Sequence, residues 1–469
     1  MVAWPIRWDE EVEVVVVGGG PGGSTVSGLL AASGRKVLVL ERERLPRFHI
    51  GESLLPSSTP VLRALGLHDA LDAVFIRKYG ARFLDDGLGV HAPGSTAKYL
   101  FSEAFPPSIP YAWEVTRAEF DELLLRNASR LGAEVREGWR VRGPVRDEKG
   151  YVVGVEAQAP DGATRRIGAR VVVDATGREA LFARARRDKA RVHALDKTAI
   201  FTQIRGGRRN EGIDAGQIEI TILSSSQGAS SQGASSQGSG MNPDGTTPGW
   251  AWFIPFKDGR TSIGFVLSTA LVDSWMKGSD DLFDREAMGL PTEYRERPAD
   301  ARERLERLFD GCMQRSPWMQ HFVGDAPKIE PVRAAADFSF RVEELAGDGW
   351  LTVGDSGGFL DPLFSTGAHM AMGGGQRAAG AIDAALRAGD VSAAAFAQYA
   401  RDIRRAGDLF LGAVQSFYRG ELRGLLFHPE QRPALRKTIT SMLAGDVFHD
   451  EETASLWVGY FREHFPARV

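Results

Sequence analysis

Cysteine is almost missing from this chain. Cys312 is the only one among 469 residues, so no internal disulfide can form and a reducing, cytoplasmic setting is expected. Nothing around it in Phe309-Asp310-Gly311-Cys312-Met313-Gln314-Arg315-Ser316 points to an activated thiol. The nine histidines are scattered without ligand spacing, so no metal centre is expected. No apolar run nears the roughly 18 residues that read as a membrane span. Acidic residues precede the short apolar run ending at Val17, the wrong order for a signal peptide. Positive charge is not in surplus either. The formal net charge of −4 disfavours nucleic acid or an anionic membrane as the main partner.

What remains is an ordinary globular composition, 43% hydrophobic and 25% charged, long enough for a large core with interleaved subdomains. Val12–Val17 is a continuous β-branched run, expected for a strand buried on both faces of a parallel sheet. A glycine loop and an apolar helix ending at Gly34 follow, then a strand from Lys36 to Leu40 closing on Glu41. This βαβ start predicts an α/β fold. Arg117–Leu131 reads as an amphipathic helix, and Arg170–Gly177 as another strand. The middle alternates as antiparallel strands over Ala199–Ile204, Gln217–Leu223, Trp250–Pro255 and Thr261–Leu267. From Arg377 onward the chain is rich in Ala, Leu and Arg and reads as helix. The expected organisation is a nucleotide-binding module over 1–389, with a substrate-facing sheet interleaved at about 75–115 and 195–335, and a helical segment over 390–469. Ser225–Ala229 repeats as Ser230–Ala234 and, with a terminal Ser, as Ser235–Ser239. Lacking apolar side chains to offset ordering entropy, it is expected to be a flexible loop, a neutral surface expansion in preference to a mobile lid over the site.

Gly18-x-Gly20-x-x-Gly23 lies between a strand and a helix, with Glu41 at the acidic position about 20 residues on. The glycines allow close approach of a pyrophosphate to the helix N-terminus, and Glu41 can accept from ribose hydroxyls. The motif alone leaves FAD and NAD open. Gly354-Asp355-Ser356 follows the apolar strand Trp350–Val353, and Val173-Asp174-Ala175-Thr176-Gly177-Arg178 ends another. Both resemble marks of the FAD-dependent monooxygenase superfamily, which implies FAD. No second glycine motif of this kind is visible, so reducing power is expected as reduced flavin from a separate NAD(P)H-dependent reductase.

Three further segments resemble the flavin-dependent halogenases, the phenol- and pyrrole-modifying branch in particular. They are Trp250-Ala251-Trp252-Phe253-Ile254-Pro255, Phe359-Leu360-Asp361-Pro362-Leu363-Phe364-Ser365-Thr366-Gly367, and Arg47–Leu54 followed by Lys78 in Ile76-Arg77-Lys78-Tyr79-Gly80. The resemblance implies an aromatic-hydroxylase-type Rossmann-like FAD module with an antiparallel substrate sheet. It implies that reduced FAD, O₂ and chloride or bromide yield hypohalous acid, which travels through a tunnel to Lys78 and from there halogenates an electron-rich ring in secondary metabolism. It assigns catalysis to Lys78 and Ser365, halide binding to Thr366 and Gly367, and a flavin/substrate partition to Trp250, Trp252 and Pro255. Cofactor contacts fall to Gly18, Gly20, Gly23, Glu41, Arg42, Arg117, Asp355, Pro362 and Gly367. A lysine amine suits the relay because burial lowers its pKa, whereas neighbouring Arg77 has no accessible neutral amine.

One departure from the tryptophan-modifying branch stands out. Phe364 occupies the place of a glutamate that there helps steer the electrophile. Phenolic and pyrrolic rings are intrinsically activated and tolerate that loss. Leu435–Val447 resembles halogenases whose substrate rides on an acyl carrier protein. Competing readings are a monooxygenase or a geranylgeranyl-reductase-like enzyme on the same scaffold, or a catalytically silent flavin-binding or carrier-docking protein.

Overall fold

The computed structural model describes residues 6–106, 109–192, 195–223, 249–277, 300–336, 339–428 and 431–448. The Ser/Gln/Gly repeat lies outside them. The chain divides into two compact units: Met1–Leu71, Val115–Val192 and Phe340–Asp408 form one, and Asp72–Glu114, His193–Ser339 and Leu409–Val469 the other.

The first unit is built on a sheet in the order Ala346–Gly347, Trp350–Thr352, Thr164–Asp174, Glu10–Val17, Val37–Glu41, Glu134–Glu137. Glu10–Val17 runs parallel to Thr164–Asp174 on one side and Val37–Glu41 on the other. Its apolar run is buried on both faces. Val14 and Val16 pack with Val26, Leu30, Leu125 and Ile382 beneath the helices, whereas Val15 and Val17 pack with Leu38, Leu40, Leu181 and Trp350. Because Val17 is level with both Leu40 and Asp174, Gly18, Glu41 and Ala175 emerge together at the carboxyl ends of their strands. From the central strand the chain leaves to one neighbour while the other arrives much later, the switch point at which open α/β sheets bind ligands.

Two boundaries differ from expectation. The strand expected to reach Gly177 stops at Asp174. The Asp174 carboxylate accepts the Thr176 N–H at 3.1 Å, the Thr176 hydroxyl at 2.6 Å and the Phe182 N–H at 2.8 Å, which folds the chain into a turn. The helix expected from Arg377 begins at Thr366 and runs to Ala388. Its early part is weak in helix propensity, with Gly373-Gly374-Gly375 in series. Packing explains the exception: a Cβ on Gly375 would lie 2.9 Å from the Gly22 carbonyl oxygen, so glycine lets this helix close on Pro21–Ala32.

The second unit carries a seven-stranded sheet ordered Arg333–Ala335, Lys197–Arg205, Arg260–Ser268, Gly249–Pro255, Ile218–Ile222, Gly80–Asp85, Thr96–Leu100. All pairings are antiparallel except Ile218–Ile222 with Gly80–Asp85. One face buries Ile200, Phe253, Ile263 and Phe265 against Leu308, Phe309 and Phe322 of the helices Ala301–Arg315 and Pro317–Val323. A separate two-stranded ribbon pairs Ile76–Lys78 with Ala112–Glu114. The helices Glu421–Leu426 and Pro433–Leu443 belong to the same unit. Among the described residues no helix is long and apolar enough to cross a membrane.

Candidate active site

In the first unit the glycine loop has the geometry of a pyrophosphate cradle. Gly18 takes φ +106°, and a Cβ there would lie 2.4 Å from the Ala175 carbonyl oxygen. A Cβ on Gly23 would lie 1.9 Å from the Gly18 oxygen. Gly20 caps the helix Pro21–Ala32 in extended conformation, with no side-chain cap and no acid in the first turn. The leading amides and the positive end of the helix dipole are therefore available to an anion. Buried Glu41 accepts the Gly19 N–H at 2.6 Å and the Glu43 N–H at 2.8 Å, which ties the strand end to the loop. Arg42 is partly exposed and paired with Glu179 at 2.5 Å.

Arg117 and Asp355 form the next layer. Arg117 grips Asp121 with two bonds of 2.7 and 3.0 Å and donates to the Ile50 carbonyl at 2.6 Å. Asp355 is the second residue of the turn Gly354–Gly357 after the strand Trp350–Thr352. Burial pushes its pKa up to about 6, against the opposing pull of the Arg117 and Arg178 charges. The turn is pinned by the Ser356 hydroxyl, which donates to the Asp174 carbonyl at 2.5 Å.

Beyond it, Asp361 caps the short turn Pro362–Phe364 by accepting the Leu363 N–H at 3.0 Å. Ser365 then adopts the left-handed conformation, φ +56°, costly for a residue other than glycine. It starts the 23-residue helix Thr366–Ala388 without a side-chain cap, and no acid lies in the first turn. Thr366 and Gly367 thus place their N–H groups at the positive end of a long helix, chemistry suited to a halide. His369 in the same turn is buried, its Nδ1 3.1 Å from the Ser58 hydroxyl.

In the second unit, Trp250 and Trp252 stand on a central strand with ring centroids 5.8 Å apart and planes inclined by 48°. Their polar edges are satisfied: Trp250 Nε1 donates to Tyr418 Oη at 2.9 Å, and Trp252 Nε1 to Ser262 Oγ at 3.1 Å. Gly264, opposite Trp252 in register, leaves room for the indole; a Cβ there would lie 2.4 Å from the ring. Pro255 ends the strand, opposite Thr261.

Lys78 lies on the two-stranded ribbon. Opposite pairs are Ile76 with Glu114, Arg77 with Trp113 and Lys78 with Ala112, so Lys78 and Glu114 are diagonal neighbours on one face. Lys78 is 1% exposed and Glu114 fully buried, with Nζ 4.0 Å from Oε1 and 5.4 Å from the Phe101 ring centroid. Burial lowers the lysine pKa below its ordinary value, partly opposed by the Glu114 charge. Arg77 is differently committed. Asp72 takes a bidentate bond from it and also accepts from Trp113 Nε1 at 2.9 Å, while the guanidinium lies 4.2 Å from the Tyr111 ring centroid. The hydrogen bond that Arg77 donates to Asp72 leads the causes that raise its pKa.

The structure thus groups the expected cofactor and halide residues in the first unit, and Lys78 with the indoles in the second. Sequence reasoning missed Glu114, Ser262, Gly264 and Tyr418. Glu114 meets Lys78 only through strand pairing across distant sequence, and no local pattern marks it. Among the described residues no His, Cys, Asp and Glu cluster could hold a metal.

A cradle closed to Cβ atoms, uncapped helix amides and a buried acid at the strand end define a dinucleotide-binding scaffold. The family description "FAD binding domain" matches residues 11–200, and "Tryptophan halogenase" matches residues 242–424. The chain is 30% identical over 430 residues to the flavin-dependent halogenase armH3 of Armillaria mellea, covering 89% of this chain and 77% of that protein. It is 30% identical over 442 residues to the 1H-pyrrole-2-carbonyl-[peptidyl-carrier protein] brominase of Pseudoalteromonas luteoviolacea, covering 94% and 93%. The solved structure of the flavin-dependent brominase Bmp2 superposes with a TM-score of 0.75 at 26% identity, over 97% of this chain and 98% of that one. The chain belongs to the flavin-dependent halogenase family, and is accordingly an oxidoreductase that uses FAD and a halide.

Proposed function

We propose that this enzyme chlorinates or brominates an electron-rich aromatic ring, phenolic or pyrrolic, with Lys78 carrying the halogen. Bound FAD, delivered reduced by a separate NAD(P)H-dependent flavin reductase, supplies oxidation of halide by O₂ to hypohalous acid. The chain's own residues do the rest. Gly18, Gly20 and Gly23 admit the pyrophosphate, Glu41 and Arg42 serve the ribose side, and Arg117, Asp355 and Pro362 hold the remainder of the cofactor. The amides of Thr366 and Gly367, beyond the left-handed Ser365, receive the halide. Trp250, Trp252 and Pro255 form the partition that denies substrate direct contact with the flavin.

The observation that carries this reading is the buried amine of Lys78, whose pKa is lowered by desolvation. A neutral amine is a nucleophile toward hypohalous acid, and a buried one is kept from bulk water. The reactions balance simply. R–NH₂ and HOX give R–NHX and water. R–NHX and Ar–H then give Ar–X and R–NH₂. The matched carrier-protein brominase supports a carrier-bound substrate. With a single cysteine, the protein suits the cytoplasm.

The test supplies the protein with a flavin reductase, NADH, FAD, O₂ and chloride or bromide, together with phenols and pyrroles, free and as carrier thioesters. Mass spectrometry reads the halogen isotope pattern. Halide-dependent products that vanish with Lys78→Ala are expected. An oxygenated product formed equally without halide would instead identify a monooxygenase.

A further inference from the structure

We infer that Glu114 is the positioning residue and proton store of Lys78: its carboxyl group removes the proton that would silence the amine and hands it to the departing hydroxide of hypohalous acid. This rests on the reading that Lys78 takes up halogen.

The geometry is specific. Glu114 is fully buried, 4.0 Å from Lys78 Nζ, on the same face of the ribbon. At that separation a small side-chain rotation makes a direct hydrogen bond. The ribbon is held in register from its other face. Asp72 binds both Arg77 and Trp113, the pair directly opposite one another between the Lys78–Ala112 and Ile76–Glu114 pairs. Among the side chains facing Lys78 are the Glu114 carboxylate and the Phe101 ring, while Arg77, Asp72 and Tyr111 are engaged with one another.

A buried lysine beside a buried carboxylate has two neighbouring states: ammonium with carboxylate, or amine with carboxylic acid. Burial of both groups brings the second within reach, because neither charge is well solvated. From that state the chemistry proceeds without outside acid or base. The Nζ lone pair bonds to the halogen, and the O–X electron pair leaves with oxygen. The Glu114 acid protonates the oxygen to water, and the carboxylate so formed takes a proton from the halogenated nitrogen. The sum is R–NH₂ + HOX → R–NHX + H₂O with Glu114 unchanged. Halogen stays at the same oxidation level, so no further oxidant is required.

The pair is active when it shares one proton. At low pH it holds two protons and the amine is lost. At high pH it holds none and the acid is lost. Halogenation normalised to hypohalous acid release should therefore show two limbs in the wild type. In Glu114→Gln the alkaline limb should disappear and the rate near neutrality fall by about tenfold or more. Hypohalous acid release, read by halogenation of monochlorodimedone in solution, should be unchanged, and Glu114→Asp should recover part of the rate. Should Glu114→Gln not fold, the wild-type profile decides, since a single limb contradicts the proton store. A Glu114→Gln enzyme with wild-type rate and both limbs also overturns the inference while leaving Lys78 in its role. The underlying reading fails separately, if Lys78→Ala halogenates as the wild type does.

Discussion

Lys78 and Arg77 are consecutive on one short strand and project to opposite faces. The guanidinium is fixed by Asp72 and Tyr111, a permanently charged group in a permanent clamp. The amine is buried beside the Glu114 carboxylate. A buried ion pair of this kind is weak evidence for stability, because desolvation offsets the attraction. Lys78→Met should cost about 3–5 kcal/mol by leaving Glu114 buried without its cation. Lys78→Met with Glu114→Leu should recover most of that loss. Denaturant midpoints of the two single variants and the double variant measure the coupling, and additive effects would contradict it.

Asp86 offers a titration at the same scale. Burial raises its pKa to about 7 although Ser316 and the Trp318 N–H bond to it, the latter at 3.0 Å. Its folded pKa lies above the unfolded value of 3.8, so the native state binds the extra proton between them. Its contribution is full below that window and is lost as pH rises through about 7. Asp86→Asn keeps an acceptor for Trp318 and removes the titration. The wild type should therefore lose stability relative to Asp86→Asn between pH 4 and 7, by up to about 4 kcal/mol. Denaturant titrations across that range check the sign.

At the scale of elements, the strand Gly249–Pro255 carries its indoles over a glycine. Gly264→Ala sets a methyl 2.4 Å from Trp252 and 2.7 Å from the Phe201 Cβ, so the ring must leave its place against Ser262. A loss of about 1–3 kcal/mol is expected from such overpacking, with a changed indole emission spectrum. This strand was legible in the sequence because two-residue alternation and a terminal proline are local signals. So was Glu10–Val17, whose β-branched run sits on both faces of its sheet. Thr366–Gly375 was not legible as helix, because its glycines serve packing against Pro21–Ala32 that no local pattern reports. The expected site residues were read from motifs, which are local in the sequence. Glu114 belongs to no motif, since its meeting with Lys78 is made by strand register alone.

For the whole molecule, cofactor binding and stability are linked. A ligand that binds only the native state stabilises it, by about 2.7 kcal/mol at a hundred times its Kd. FAD should therefore raise the unfolding midpoint of the wild type. Gly23→Val should abolish that rise, because even its Cβ would lie 1.9 Å from the Gly18 oxygen. Differential scanning calorimetry with and without FAD reads the difference.

Halogen is proposed to reach the ring by way of the Lys78 amine. The most direct test of this route compares the wild type with Lys78→Ala and Lys78→Arg, each supplied with reduced FAD, O₂ and bromide. Hypohalous acid release and ring halogenation are measured in the same reaction. Unchanged hypohalous acid release in all three proteins and loss of ring product in both variants are expected. Ring product from Lys78→Ala at the wild-type rate would contradict the route.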